Sequence, residues 1–207
     1  MATKKSKQEL DINTETKIKN AARVVFHKKG FAATRTRDIA EEAGINLALL
    51  NYYFRSKQKL FEIILMETMQ GFFQSMTMVY NDEQTTLDQK VETIAERYID
   101  MMITDPHVPN FLLNELRNNP SGFVEKLNMK KIIMGSVFFK QFQKAMLNTK
   151  NQIHPLNFIM NLMGLVMFPF IASPIVKMLG DLNDEDFNKM ITERKKLIPL
   201  WIKTMMT

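Results

Sequence analysis

The chain has 207 residues, 45% of them hydrophobic, so it can form one large domain, or a small domain and a larger one, and we do not expect it to be wholly disordered. It has no cysteine, which excludes disulfides and thiolate chemistry, and we expect a cytoplasmic protein. The net charge is +6, but residues 1–60 hold 13 basic and 6 acidic side chains and the remainder is nearly neutral. Such a distribution is typical of a protein that meets phosphate groups at one end.

The N-terminal segment is charged and shows no signal peptide, and residues 1–12 are expected to form a disordered basic arm. A first helix is predicted from about Thr14 to Lys29, ended by Gly30. The spacing of one helical face gives it a buried stripe of Ile18, Ala21, Ala22, Val25 and Phe26.

Two short helices joined by a tight turn are predicted next. The first runs over residues 37–43, where Thr34 or Thr36 can cap its start and Gly44 suits a left-handed residue after its end. The second covers about residues 46–54 and begins at Asn46, a good capping residue. Two helices at a steep angle with a glycine in the turn describe a helix-turn-helix.

The outer side of the second short helix is slim and polar, because Asn46, Ala48 and Asn51 lie opposite the apolar Leu50. A DNA major groove admits a helix only when its face is narrow and carries hydrogen-bonding groups. An ordinary helical hairpin with solvated asparagines has the same spacing, so spacing alone leaves both interpretations open.

The individual residues of this region favour a DNA-binding helix-turn-helix over an ordinary helical hairpin. The positions that carry the pattern are Ala21, Ala22, Val25, Phe26, Gly30, Thr34, Asp38, Ile39, Ala40, Ala43, Gly44, Ile45, Leu50, Tyr52, Phe54, Ser56, Lys57, Leu60 and Phe61. With this set, about residues 16–65 resemble the N-terminal DNA-binding domain of the TetR family of bacterial transcriptional regulators. Arg35 stands where the family usually has Ser or Thr, and Asn51 where it usually has an aromatic residue, so no relative's operator is carried over.

The resemblance and the exposed face together imply the DNA contacts. We expect phosphate contacts from Arg35, Thr36, Tyr52 and Lys57. We expect base-edge contacts from Asn46, Leu47, Ala48 and Asn51, since Asn pairs with adenine and small apolar groups touch the thymine methyl.

The rest of the chain predicts further helices and no strand. They cover residues 57–80, 87–104, 110–118, 123–148, 155–178 and 185–205. The fold class is therefore all-α, with a three-helix DNA-binding domain at residues 13–56 and a larger helical effector-binding and dimerisation domain at 57–207.

Residues 155–176 carry no charge and are long enough to span a membrane. We prefer a buried helix, because Asn157 and Asn161 are unfavourable in lipid and Pro169 and Pro174 interrupt the run.

The larger domain is rich in Met and Phe, which suits either a plain core or a ligand cavity. The candidate cavity residues are Met102, Phe111, Phe138, Phe142, Met163, Met167 and Phe170. Arg117, Asn157 and Asn161 are the polar groups expected to matter if buried. The resemblance implies a small-molecule effector, for which we expect an apolar or amphipathic compound.

As a TetR-like protein, the chain is expected to be a homodimer through residues 155–178 and 185–205, reading a pseudo-palindromic operator on double-stranded DNA. Repression relieved by the effector is the family's commoner mode. The alternatives are a helical enzyme and a non-specific DNA-associating protein. No metal, nucleotide or hydrolase motif points to an enzyme, and we expect no cofactor.

Overall fold

The computed structural model describes residues 2–147 and 153–206, and every regular element in these ranges is an α-helix, as predicted. The helices are α1 (Ala2–Ala33), α2 (Thr36–Glu42), α3 (Leu47–Tyr53), α4 (Lys57–Asn81), α5 (Leu87–Thr104), α6 (Val108–Asn118), α7 (Pro120–Lys126), α8 (Met129–Met134), α9 (Val137–Leu147), α10 (Pro155–Ile171), α11 (Ser173–Leu179) and α12 (Asp184–Met205). They form two compact units, Met1–Met69 and Gln70–Thr207.

The first helical run begins well before the predicted start at Thr14. The structure gives helix from Ala2 onward, so the prediction of a disordered arm over residues 1–12 is wrong for residues 2–12. The segment contains three Lys, one Gln, one Glu, one Ala and one Leu, which are good helix formers, and Asp11 accepts a hydrogen bond from the Tyr53 hydroxyl at 2.7 Å. The run is broken at Gly30, whose φ of 73° and ψ of 164° suit glycine alone.

An aromatic cluster joins the start of α4 to the N-terminal unit. The Phe61 ring lies 5.0 Å from Phe26 and 4.6 Å from Phe31, centroid to centroid, and Leu60 is fully buried beside it. The unit therefore extends to Met69, beyond the predicted boundary after residue 56. Helix α4 begins directly after the predicted boundary and continues without a break past Met69, where the first unit ends.

In the C-terminal unit, α5 has the bounds that the sequence predicts, residues 87–104. The single helix predicted over 123–148 is wrong, because three short helices, α7 to α9, occupy this stretch as far as Leu147, and residue 148 lies outside the described range. Asn128 separates α7 from α8 with a left-handed φ of 52°. Ser136 starts α9, where its hydroxyl accepts the Phe139 N–H at 3.1 Å.

The apolar segment after residue 154 forms two helices rather than one over 155–178. Helices α10 and α11 meet at an angle of 67°, and only together do they have the length and hydropathy of a membrane span; no single described helix does. Pro169 inside α10 has no N–H to offer the Leu165 carbonyl. The Arg194 guanidinium from α12 donates to that carbonyl at 2.9 Å and fixes α12 against α10.

Candidate nucleic-acid interface and internal cavity

The turn between α2 and α3 has the geometry expected from Gly44. This residue has a left-handed φ of 60°, and its N–H donates to the Glu41 carbonyl at 3.0 Å. The next N–H, from Ile45, reaches back to the Ala40 carbonyl, also at 3.0 Å. These two bonds end α2 and turn the chain sharply into α3.

The start of α2 differs from the prediction, because neither Thr34 nor Thr36 caps it. The Thr34 hydroxyl is buried and donates to the Gly30 carbonyl at 2.7 Å, while Thr36 is already helical. Instead, the Asp38 carboxylate accepts the backbone N–H of Arg35 at 2.9 Å. This hydrogen bond, followed by the ion pair with Lys29 at 3.2 Å, lowers the pKa of Asp38.

Helix α3 begins as predicted at Asn46, whose side-chain oxygen accepts the Leu49 N–H at 2.8 Å. The cap uses the acceptor half of the Asn46 amide and leaves only its NH₂ group to donate outward. A two-bond contact with adenine needs both halves. Asn51, which is exposed in the middle of α3, keeps both.

The outward face of α3 contains the other predicted contacts. Leu50 is fully buried, whereas Ala48 and Asn51 are exposed and Leu47 is half-buried. The Tyr52 side chain is 79% exposed, beside the perpendicular ring of Tyr53. The helix thus presents a narrow face of small and polar groups with a large aromatic at its end.

The basic side chains around this face fall into two groups. Lys19 and Arg23 both pair with Glu67, and Lys29 pairs with Asp38, so these three act within the domain. In contrast, three exposed arginines form no salt bridge with any side chain that the structure describes, in residues 11–147 and 153–206: Arg35, Arg37 and Arg55. Arg37 and Arg55 were absent from the predicted contacts, although their charge in this stretch of sequence was a usable signal.

Lys57, which we predicted to contact phosphate, also makes contacts within the domain. Its ammonium donates to the Phe31 carbonyl at 2.7 Å and the Thr34 carbonyl at 2.8 Å. It also lies 4.3 Å from the centre of the Phe31 ring. Two of its three donors are thereby used to hold the corner between α1 and α2.

The C-terminal unit contains a small, partly open cavity of about 70 Å³. Its walls are Phe73, Tyr80, Ile94, Tyr98, Met129, Ile133, Phe138, Ile159, Leu162 and Met163. Of the seven predicted cavity residues, two line it, Phe138 and Met163. The remaining five are buried or half-buried elsewhere in the unit: Met102, Phe111, Phe142, Met167 and Phe170.

The polar groups considered for the cavity are not in it. Arg117, Asn157 and Asn161 are all exposed, so the condition under which they were expected to matter, burial, is not met. The polar wall residues are two tyrosines that sequence reasoning did not single out, Tyr80 and Tyr98. Both lie on the apolar stripes of their helices, where the period of the pattern does not distinguish a cavity wall from packed core.

Comparison of the sequence with known proteins gives two similarities. Residues 18–64 match the model of bacterial regulatory proteins of the tetR family. Over 201 residues, 95% of each chain, the sequence is 22% identical to the "Probable HTH-type transcriptional regulator YttP" of Bacillus subtilis strain 168. The match to the family model begins inside α1 and ends inside α4, so it spans the whole helix-turn-helix.

Two solved structures share the fold over nearly the whole chain. A transcriptional regulator of the TetR/AcrR family from Thermobifida fusca has a TM-score of 0.64 at 13% identity, covering 90% of this chain and 97% of that one. The regulator FadR of Bacillus subtilis, solved with stearoyl-CoA, has a TM-score of 0.53 at 16% identity, with coverages of 88% and 96%. At these identities, the likeness establishes the all-α architecture.

Proposed function

We propose that this chain, whose residues 18–64 belong to the tetR family of bacterial regulatory proteins, is a homodimeric transcriptional regulator that reads a pseudo-palindromic operator and is controlled by a small molecule. The observation that carries the proposal is the exposed face of α3. Leu50 anchors this helix in the core, while Ala48, Asn51 and Tyr52 remain exposed on its other side. Such a face fits a major groove.

The side chains of α3 divide the reading of bases between them. Asn51 pairs with adenine through both halves of its amide, while Asn46 contributes a single donor because its oxygen caps the helix. Leu47 and Ala48 touch thymine methyl groups. The phosphate contacts come from Arg35, Thr36 and Tyr52, together with Arg37 and Arg55. Lys57 acts indirectly by holding the start of α2.

Dimerisation is proposed through α10, α11 and α12. One short recognition helix gives little specificity, whereas two helices about one turn of DNA apart read a two-fold site. These three helices carry large apolar side chains that are exposed in the single chain: Leu156, Met160, Phe168, Ile175, Met178, Leu179, Leu197 and Leu200. Burying Phe168, which is 66% exposed, against a second copy would remove a sizeable apolar surface from water.

Introducing a negative charge at Phe168 tests the interface. Phe168→Glu leaves the core intact because the side chain is exposed, but it places a charge in the proposed interface. Analytical ultracentrifugation should show the wild-type protein as a dimer and the variant as a monomer with unchanged helix content. Lys140→Glu, at an exposed position on α9 and outside the three proposed interface helices, is the control and should remain dimeric. A monomeric wild type, or a dimer that tolerates the charge, would rule out this interface.

Ligand control is proposed to act through α4. This helix supplies Leu60 and Phe61 to the core of the N-terminal unit, and it supplies Phe73 and Tyr80 to the cavity wall. A ligand that binds one position of α4 more tightly than another shifts the equilibrium between them. Because both recognition helices of a dimer must fit DNA at once, a small displacement of α4 releases the operator.

Fluorescence anisotropy on the DNA upstream of the chain's own gene tests the proposed function. A scrambled duplex of equal length is the control, and both are titrated with salt. Binding to the upstream DNA tighter than to the control by about a thousandfold or more supports a sequence-reading regulator. Equal and salt-labile binding to several upstream regions and to the control indicates a non-specific DNA-associating protein, and the proposal fails.

A further inference from the structure

The wall of the cavity in the C-terminal unit is apolar except for two tyrosines. It lies among α4, α5, α8, α9 and α10, and none of its ten wall residues carries an ionisable acid or base other than the tyrosine phenols. The other eight side chains are hydrocarbon, aromatic or thioether groups. The chemistry of the cavity is therefore set by Tyr80 and Tyr98.

These two tyrosines form an isolated polar pair. Their hydroxyl oxygens are 3.1 Å apart, and the residues are only 3% and 2% exposed. Ring contacts fix both side chains, since Tyr98 packs edge-on against Phe72 at 4.7 Å and Tyr80 lies 5.7 Å from Phe138. The positions of the two hydroxyls are thus set by their apolar neighbours.

The pair has one hydroxyl proton more than it can use internally. A hydrogen bond between two phenols takes one proton, so the second hydroxyl has a donor with no recorded acceptor in the described part of the chain. Burial raises the pKa of Tyr80 to about 12 and that of Tyr98 well above its ordinary value, so both are neutral near pH 7. A buried donor without an acceptor is costly, and an acceptor supplied by a ligand would remove that cost.

We propose that this cavity binds a neutral, mainly apolar small molecule that carries a hydrogen-bond acceptor, such as a carbonyl or ether oxygen, and that the Tyr80–Tyr98 pair recognises the acceptor. The inference rests on the proposed function, because it names the chemical class of the effector. A carboxylate or ammonium ligand would have to leave water without any counter-charge on the wall. A pure hydrocarbon would leave the spare donor unsatisfied.

One wall of the cavity must move when such a molecule enters. The present volume of about 70 Å³ is smaller than the roughly 150 Å³ in which an engineered apolar cavity holds benzene. Helix α8 is the wall best suited to move. It has six residues, none of them buried, and it lies between the left-handed Asn128 and Gly135. It contributes Met129 and Ile133 to the cavity, so its displacement enlarges the space directly.

A set of three probes of similar size tests the ligand class. Acetophenone is neutral with a carbonyl acceptor, ethylbenzene is neutral without an acceptor, and benzoate is anionic. Each is titrated into the full-length protein with its methionine methyl groups labelled for NMR, because Met129 and Met163 lie on the wall and report binding there. Acetophenone should bind about fivefold more tightly than ethylbenzene, the ratio expected for one neutral hydrogen bond, and benzoate should not shift these methyl signals.

The double variant Tyr80→Phe/Tyr98→Phe connects this preference to the hydroxyl pair. Removing both partners of a buried hydrogen bond is close to neutral for folding, and unchanged helix content and methyl spectra establish that the variant is folded. The preference for acetophenone over ethylbenzene should then disappear, while ethylbenzene binds at least as well as before. A preference that survives in the variant overturns the inference, as does binding of benzoate at these methyl groups or no shift with acetophenone in the wild type.

The outcomes separate this inference from the proposed function. If acetophenone occupies the cavity but the protein shows no sequence-specific DNA binding, the regulator proposal fails and the ligand class stands. If the operator is read but no neutral probe shifts Met129 or Met163, the ligand class fails and the regulator proposal stands. Ile133→Phe, which fills the cavity from α8, should abolish the acetophenone shifts while the helix content stays unchanged. Shifts that persist in this variant would place the probe elsewhere and overturn the inference.

Discussion

Each of the two units is held together at a loop by a lysine that donates to backbone carbonyls. In the N-terminal unit, Lys57 reaches the carbonyls of Phe31 and Thr34 and remains half-buried. In the C-terminal unit, Lys90 is fully buried, and its ammonium donates to the Asp82 carbonyl and to the carbonyl and hydroxyl of Thr85, the latter two at 2.8 and 2.7 Å. From the sequence alone, neither lysine can be distinguished from one that binds phosphate or faces water.

The difference between these two lysines shows how burial and position decide their roles. Lys90 closes the loop between α4 and α5, and burial lowers its pKa because desolvation disfavours the charged form. Lys57 holds the corner between α1 and α2, in the unit that contains the proposed DNA-binding face. We therefore expect the loss of Lys90 to affect stability alone and the loss of Lys57 to affect both stability and DNA binding.

The largest expected effect comes from Lys90→Met, which keeps the length of the side chain and removes its donors. Losing charge-assisted bonds to three acceptors should lower the free energy of unfolding by about 3 kcal/mol. Urea denaturation followed by circular dichroism measures this. Lys140→Met, at an exposed position on α9, is the matched control and should change stability by less than about 0.5 kcal/mol. Equal effects of the two substitutions would contradict the role given to Lys90.

Lys57→Met should have a smaller effect that also reaches DNA binding. We expect about 2 kcal/mol of destabilisation, because two carbonyl contacts and the contact with the Phe31 ring are lost. Its neighbour Lys59 is exposed on the same helix, so Lys59→Met provides the control. If Lys57 instead binds phosphate freely, its loss would leave the melting temperature unchanged and reduce only the salt dependence of DNA binding.

The two asparagines of α3 separate base reading from helix capping. Asn51→Ala should weaken binding to the true operator by about 1–3 kcal/mol and binding to random DNA very little. Asn46→Ser keeps an oxygen for the cap and removes the outward NH₂ group, so the protein should remain as stable as the wild type and lose a smaller part of its specificity. Anisotropy on both duplexes measures these losses. Losses of equal size on operator and random DNA would show that Asn51 does not read sequence.

Two glycines, one in each unit, should respond to alanine with opposite signs. Gly44→Ala forces an alanine into a φ of 60° and should destabilise the protein by about 1 kcal/mol. Gly71→Ala, inside α4 with no atom within 4 Å of the new methyl group, should stabilise it by roughly 0.5–1 kcal/mol. Thermal unfolding of both variants measures the difference. Two shifts of the same sign would mean that these backbone conformations are not what sets the response.

The smallest expected effect is the acid sensitivity of the ion pairs at Glu67. Burial raises the pKa of Glu67, but hydrogen bonds from Lys19 and Arg23 outweigh it, so the pKa lies below the ordinary value of 4.5. The stabilisation is therefore complete above pH 4.5 and is lost as the pH falls through the lowered value. Glu67→Gln should reduce stability at pH 7 by at most about 1 kcal/mol and abolish this part of the acid dependence. If the Glu67→Gln variant lost stability between pH 5 and 3 as steeply as the wild type, Glu67 would not be the source of this acid sensitivity.

Most of the helix-turn-helix could be predicted from sequence because local residues determine where its helices begin and end. Gly44 ends α2 with a left-handed residue and Asn46 caps α3, and both signals are short-range. Two contacts in this unit could not be read from the sequence. Lys57 donates to carbonyls more than twenty positions earlier, and the Thr34 hydroxyl donates to the Gly30 carbonyl instead of capping α2.

The C-terminal unit was predictable only as a set of helices. The period of apolar residues gives α5 its bounds, but it does not show the left-handed Asn128 that divides residues 123–148. The same period marks Tyr80 and Tyr98 as buried without showing that their hydroxyls meet or that a cavity lies beside them. A void depends on how five helices fit together, and that information is distributed over the whole unit.

The most direct test of the central claim, that two copies of α3 read two half-sites together, is the spacing of those half-sites. Once a bound duplex is in hand, five base pairs are inserted between its halves, which rotates one half-site by about half a turn of DNA. Anisotropy should show the affinity falling to that of scrambled DNA, because the dimer cannot place both recognition helices at once. Unchanged affinity for the lengthened duplex would contradict the claim and assign the binding to single copies acting alone.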